Sequence, residues 1–190
     1  MTFPVAVFHG ALAYLIGAIP FSYLIAHARG VDVRREGSGN VGATNVARSA
    51  GRGFGALALL LDVVKGISAV AIGWALGTPL WLAGLAVVGH NWSIFLTFQG
   101  GKGVATTLGV LGTLAWPVAL ITVGVWGGIV AATRYVSVGS VVCLLLAPVL
   151  LLVFGYSIEI VGLMLVLGLL SAYQHRENIR RVFVGEEYGI

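Results

Sequence analysis

Long apolar runs, interrupted by short polar stretches, set the plan of this chain. The apolar segments cover 5–27, 54–76, 79–98, 104–116, 118–133, 139–155 and 157–173. A helix needs about 20 such residues to cross a hydrocarbon core of about 30 Å. Several of these segments are shorter than that, which requires a locally thinned bilayer or polar re-entrant pieces between the helices. The stretch 104–133 is ambiguous, because Pro117 falls near its middle. It is either one kinked helix or two short ones.

Charge separates the two. A break at Trp116-Pro117 gives seven spans and puts every basic loop on one side: Arg29, Arg34, Arg35, Arg48 and Arg52, then Lys102, then Arg134, then Arg176, Arg180 and Arg181. A single helix would place Arg134 opposite Lys102 and invert everything downstream. The positive-inside rule favours the break. The expected fold is therefore an all-α integral membrane bundle of seven transmembrane helices. Its helices are short, its glycine-rich loop is cytoplasmic, its N-terminus lies outside and its C-terminus in the cytoplasm. No separate domains are expected within 1–190. The first basic residue is Arg29, so 5–27 reads as a retained span and not as a cleaved signal.

Composition agrees. Of 190 residues, 58% are hydrophobic and only 9% charged, where a soluble domain carries about 25% charged residues. The formal charge of +4 is explained by orientation in the bilayer, and nucleic acid is not an expected partner. The lone Cys143 sits among Val and Leu as a buried apolar residue. Inside the spans the one basic residue is Lys65, with Asp62 three positions earlier on the same helix face. An internal ion pair holding the bundle is at least as good a reading of these two as a catalytic one. His9 and His27, near span ends, are expected to snorkel or to satisfy local hydrogen bonds.

With that sidedness, four polar patches share the cytoplasmic face. The first is Gly37-Ser38-Gly39-Asn40-Val41-Gly42-Ala43-Thr44-Asn45-Val46-Ala47-Arg48. Its glycines let backbone N–H groups approach a ligand, its Ser, Thr and Asn side chains donate hydrogen bonds, and Arg48 supplies fixed charge. The second is His90-Asn91 followed by Gln99-Gly100-Gly101-Lys102-Gly103-Val104-Ala105-Thr106-Thr107. The third is Ser137-Val138-Gly139-Ser140, and the fourth is Tyr173-Gln174-His175-Arg176-Glu177-Asn178-Ile179-Arg180-Arg181. Any one patch is explained equally well by turns, sidedness and close helix packing. Four together are not.

Familiar catalytic arrangements are missing. A nucleotide-binding loop needs Gly-x4-Gly-Lys-Ser/Thr, but Lys102 is followed by Gly103 and Leu96 stands where the first glycine belongs. The His-x4-Asp dyad of soluble-facing glycerolipid acyltransferases fails at Phe95, five positions after His90. No nucleophile elbow accompanies an acid and a histidine. One cysteine and four scattered histidines offer no metal-ligand spacing, so no metal or cofactor is expected. What remains is rich in cations and neutral donors and poor in carboxylates. It suits two anionic groups and charge developing at an acyl or phosphoryl centre.

Together the patches resemble the bacterial acyl-phosphate:glycerol-3-phosphate acyltransferases (PlsY type). The resemblance rests on the first run, on Gly89-His90 with Gly100-Gly101-Lys102-Gly103-Val104-Ala105-Thr106, and on His175-Arg176-Glu177-Asn178-Ile179 with Arg181. Leu61-Asp62-Val63-Val64-Lys65-Gly66 also looks like that family's second helix. Asn91-Trp92-Ser93 departs from it, because the family usually shows Phe-Pro after the histidine. The resemblance implies acyl transfer from a long-chain acyl phosphate to the 1-hydroxyl of glycerol 3-phosphate, with no coenzyme A or acyl carrier protein. Lysophosphatidic acid and phosphate are the implied products, and the implied setting is the bacterial inner membrane, among its lipids. Ser38, Arg48, Lys102, Ser140, His175 and Asn178 would line the site. His175 would act as base, unless a substrate phosphate oxygen does, and Asn178 would orient substrate or donate to the oxyanion. Gly39, Asn40, Thr44, Asn45, His90, Gly103 and Arg176 complete the expected substrate-binding set. The rival reading is a transporter of a phosphorylated anion. Against it, the face opposite the basic loops offers only Glu159 and His9, and the halves on either side of Lys102 share no motif.

Overall fold

The structure, a computed structural model, describes residues 2–189. All regular structure among them is helical: α1 (Phe3–Ala18), α2 (Phe21–His27), α3 (Ala43–Ser49), α4 (Arg52–Leu76), a 3-10 turn (Leu80–Gly84) running into α5 (Leu85–Asn91), a second 3-10 turn (Ile94–Leu96), α6 (Val104–Leu114), α7 (Trp116–Thr133), α8 (Val136–Val153), α9 (Ile158–Gln174) and α10 (Arg176–Phe183). The chain forms two compact units, Met1–Thr113 and Leu114–Ile190.

Each expected apolar segment contains helix, but 79–98 holds only the seven-residue α5 between two 3-10 turns, and 5–27 is broken. Segment 5–27 is two helices, because the chain leaves α-geometry at Ile19 and Pro20 before α2 begins. Proline cannot donate the next intrahelical hydrogen bond, so the break falls there. The 104–133 stretch is also two helices. Ala115 leaves helical geometry (φ −152°, ψ 67°) and Pro117 lies in the first turn of α7, where its missing N–H does no harm. By length and composition four segments can cross a membrane: Phe3–His27, Arg52–Leu76, Trp116–Thr133 and Val136–Val153. A fifth is added if α9 and α10, bent by 54°, count as one; Leu80–Leu96 and Val104–Leu114 are shorter apolar helices.

In the first unit, α1 packs against α5 and α4 packs against α1, α2 and α3. Small residues set these crossings. A Cβ on Gly17 would run into the Ala86 backbone, and one on Gly89 into the Tyr14 carbonyl. Gly66 of α4 and Gly109 of α6 meet in the same way, each with no room for a side chain against the other helix's backbone. Lipid tails are as apolar as leucine, so close backbone contact replaces the hydrophobic effect as the packing force. His9 does not snorkel. It is fully buried, with Nε2 3.0 Å from the Ala69 carbonyl and Nδ1 2.6 Å from Thr78 Oγ1, tying α1 to the end of α4. His27 stacks on Tyr23.

In the second unit α8 lies against both α7 and α9, and α10 folds onto α8 and α9. Gly168 allows α9 to touch the Leu144 carbonyl of α8. The outward positions Val149, Leu152, Leu165, Val166 and Leu169 are apolar and exposed, as a lipid-facing surface requires.

Gly66→Val should lower thermal stability by about 1–3 kcal/mol, the usual penalty for overpacking. Gly53 of α4 has open space around its Cβ position, so Gly53→Ala should be neutral or slightly stabilising. Melting of the two purified variants in detergent checks both outcomes.

Candidate active site

The first polar run folds onto its own asparagine. Asn45, in the first turns of α3, is 1% exposed. Its Oδ1 accepts the Ser38 N–H at 3.0 Å, while Nδ2 donates to the Val33 and Glu36 carbonyls, both at 2.9 Å. One side chain thereby satisfies three backbone groups of the preceding turn, which water would otherwise have to do. Gly37 sits at φ +58°, and a Cβ there would collide with Asn45 Oδ1. The turn presents Ser38, Gly39 and Asn40 ahead of α3, with Thr44 half-buried and Arg48 exposed on the helix.

The second patch is held by backbone. The Gly100 and Gly101 N–H groups donate to the Asn91 and His90 carbonyls, each at 3.0 Å, so the turn is laced to the C-terminal end of α5. A Cβ on Gly101 would collide with His90 Nε2 and crowd the Val41 carbonyl. Only glycine lets these three strands of backbone come together. The first run and the Gly-Gly-Lys-Gly turn therefore meet, with Lys102 half-buried at the start of α6. The departure at Asn91-Trp92-Ser93 does not disturb this end of α5. The Trp92 carbonyl accepts Tyr14 Oη–H at 2.8 Å, and Ser93 Oγ donates to Ala18 O at 2.5 Å.

In the second unit His175 terminates α9 and is 4% exposed. Its Nδ1 lies 2.7 Å from the Ser171 carbonyl. A carbonyl only accepts, so Nδ1 carries a proton, and in the neutral ring the lone pair is then on Nε2. Asn178, one turn into α10, donates from Nδ2 to Glu187 Oε1 at 2.7 Å. Ser137 Oγ donates to the same oxygen at 2.8 Å, and Arg181 Nε pairs with Oε2 at 2.9 Å. Ser140 Oγ donates to the Val136 carbonyl at 2.8 Å and accepts from Trp126 Nε1 at 3.3 Å. Arg176 turns back over the Tyr173 ring and donates to its carbonyl.

Comparison with known proteins identifies this arrangement. A family model described as glycerol-3-phosphate acyltransferase matches residues 7–185. The glycerol-3-phosphate acyltransferase of Desulforudis audaxviator is 47% identical, over 93% of this chain and 91% of that protein. The Aquifex aeolicus protein of the same name is 44% identical, over 96% and 98%. A crystal structure of PlsY, an integral membrane glycerol 3-phosphate acyltransferase in its glycerol 3-phosphate form, superposes with a TM-score of 0.92. It is 42% identical, over 97% of this chain and 95% of that one. The chain belongs to the glycerol-3-phosphate acyltransferase family.

In this acyltransferase the sequence motifs therefore mark real structural units. Sequence reading missed Glu187, which gathers Ser137, Asn178 and Arg181. The signal was faint, since an acidic residue in a polar C-terminal tail looks like solvated surface. Its side chain is only 4% exposed. Burial opposes ionisation of Glu187, but hydrogen bonds from Asn178, Ser137 and Arg181 outweigh it and hold the carboxyl below its ordinary 4.5. A lowered folded value means that the ionised form's stabilisation is complete above about pH 4.5 and is lost as pH falls through the lower folded value. Wild-type protein should therefore lose thermal stability on acidification below pH 4.5, and Glu187→Gln should start lower and lose less. Melting curves of both proteins between pH 3.5 and 7 in about half-unit steps provide the check.

Proposed function

We propose that this acyltransferase moves a fatty acyl group from a long-chain acyl phosphate to the 1-hydroxyl of glycerol 3-phosphate. The observation that carries the substrate assignment is the fold-wide match to PlsY, whose solved forms hold glycerol 3-phosphate and lysophosphatidic acid. The His175 tautomer is suited to the step. Nε2 takes the proton of the glycerol hydroxyl as its oxygen bonds to the acyl carbon. The acyl–phosphate C–O bond breaks, inorganic phosphate leaves with the electron pair, and lysophosphatidate remains. Acyl phosphate is already activated, so orientation and charge stabilisation can supply most of the rate.

In this proposal Arg48 and Lys102 hold phosphate groups, as cations and charge-assisted donors, with hydroxyl help from Ser38 and Ser140. Gly39, Asn40, Thr44 and Gly103 belong to the turns that present them, and Asn178 and Arg176 serve the reacting end. Asn45, with its amide engaged inside the loop, contributes by holding Ser38 in place. Neither coenzyme A nor an acyl carrier protein is required, because the acyl chain arrives through the lipid. The protein acts as one functional domain over 1–190 in the bacterial inner membrane. It spans seven times, with the N-terminus outside and the C-terminus and reactive groups facing the cytoplasm. The placement of Arg and Lys supports this sidedness.

The test of function is turnover. Purified protein given palmitoyl phosphate and glycerol 3-phosphate should release phosphate and form lysophosphatidate, followed by mass, only when both are present. Folded Lys102→Ala should abolish this release, and His175→Ala should lower kcat about 10²–10⁴-fold, the usual share of a general base. Phosphate release without glycerol 3-phosphate would mean a hydrolase. Sidedness has its own test. In a Cys143→Ala background, Arg35→Cys and Arg180→Cys should react with a membrane-impermeant maleimide only from the cytoplasmic side. Ser157→Cys should react only from outside.

A further inference from the structure

An apolar helix that keeps an ion pair away from water needs a reason. Asp62 and Lys65 of α4 lie 2.7 Å apart, each side chain 2% exposed. Taking two charges out of water costs several kcal/mol per ion, and a well-packed apolar pair is often equally stable. Holding helices together does not therefore require this pair. Its surroundings indicate another use. Ser22 of α2 donates from Oγ to Asp62 Oδ2 at 3.0 Å, and His90 of α5 brings Nδ1 to 3.5 Å from both Asp62 Oδ1 and Lys65 Nζ. Phe21, beside Ser22, places its ring 5.2 Å from Lys65 Nζ. Three polar side chains, Ser22, Lys65 and His90, from three helices thus converge on one carboxylate.

The far side of His90 faces the reactive loops. Its Nε2 abuts Gly101 so closely that a Cβ would not fit, and its carbonyl takes the Gly101 N–H. A small cleft of about 10 Å³, room for one water, is bordered by Asp62, Lys65, His90, Gly100, Gly101 and Val41. We propose that Asp62 is a positioning residue: with Lys65 and Ser22 it fixes the His90 ring, and through that ring the Gly-Gly-Lys-Gly turn that carries Lys102. The carboxylate touches no substrate. It sets the register of the turn against the first polar run, whose Val41 carbonyl borders the same Gly101. His90 then serves the reaction from behind the loop.

This inference rests on the acyltransferase reading. The test replaces the pair by apolar residues of similar size, Asp62→Leu/Lys65→Met, and compares melting temperature, kcat and both KM values with wild type. A second pair, Asp62→Asn/Lys65→Met, keeps an acceptor for Ser22. The expected result is a melting temperature near wild type with KM for at least one phosphate substrate raised about 10–100-fold, the effect of displacing a binding group by about 1 Å. A purely structural pair would change melting temperature and the active fraction but leave KM alone. Unchanged KM and kcat in a folded variant overturns the inference, as does failure of both pairs to fold, which would make the cluster a folding element. Lack of turnover by wild-type protein overturns the acyltransferase reading itself, and this inference with it.

Discussion

A polar group buried away from water, by lipid or by the protein's own packing, must find its partner within the protein. That constraint shapes both units. The Asn45 amide closes the turn ahead of α3, His9 joins α1 to α4, and Glu187 collects Ser137, Asn178 and Arg181. In each case one side chain satisfies polar groups outside its own helix or turn. The polar runs that look costly in an apolar sequence thus satisfy many of their own groups.

Glycine does the complementary work. Where helices cross, its missing side chain lets backbone approach backbone, as at Gly66 and Gly109. In the loops it does the same for the turn of Lys102, which presses on His90 and on the Val41 carbonyl through Gly101. Packing and chemistry therefore use one device. Small residues let short helices associate in lipid, and the same kind of residue brings the two polar loops together.

The acyltransferase family chemistry asks little of the protein beyond this. In the proposed reaction acyl phosphate is a reactive donor, so the protein would have to supply only cations for the phosphates and a base in the right tautomer. The Ser171 carbonyl provides the tautomer by holding the His175 Nδ1 proton. The buried Asp62 and Lys65 lie beneath the loop that carries Lys102, where an ionic contact is more directional than apolar packing and defines one arrangement in preference to several.

Much of this was legible in the sequence. Apolar runs announced the long helices, because the need to satisfy backbone groups in lipid leaves helices as the simplest outcome, but not α3 and α10, which fall in polar runs. Pro117 marked the break that separates α6 from α7, and motif spacing identified the family, because glycines and cations at fixed intervals can serve only a few backbone paths. Partnership was not legible. Asn45 reads as a substrate ligand until its amide is seen bonded to Val33, Glu36 and Ser38, and Glu187 reads as surface until three donors surround it. The Asp62 and Lys65 pair was visible as neighbours on one helix, but their link to Ser22 and His90 depends on α2, α4 and α5 packing side by side. Periodicity and composition are local, so they determine what each segment becomes. Which polar atoms face one another depends on contacts between residues far apart in the chain, and only the tertiary structure decides those.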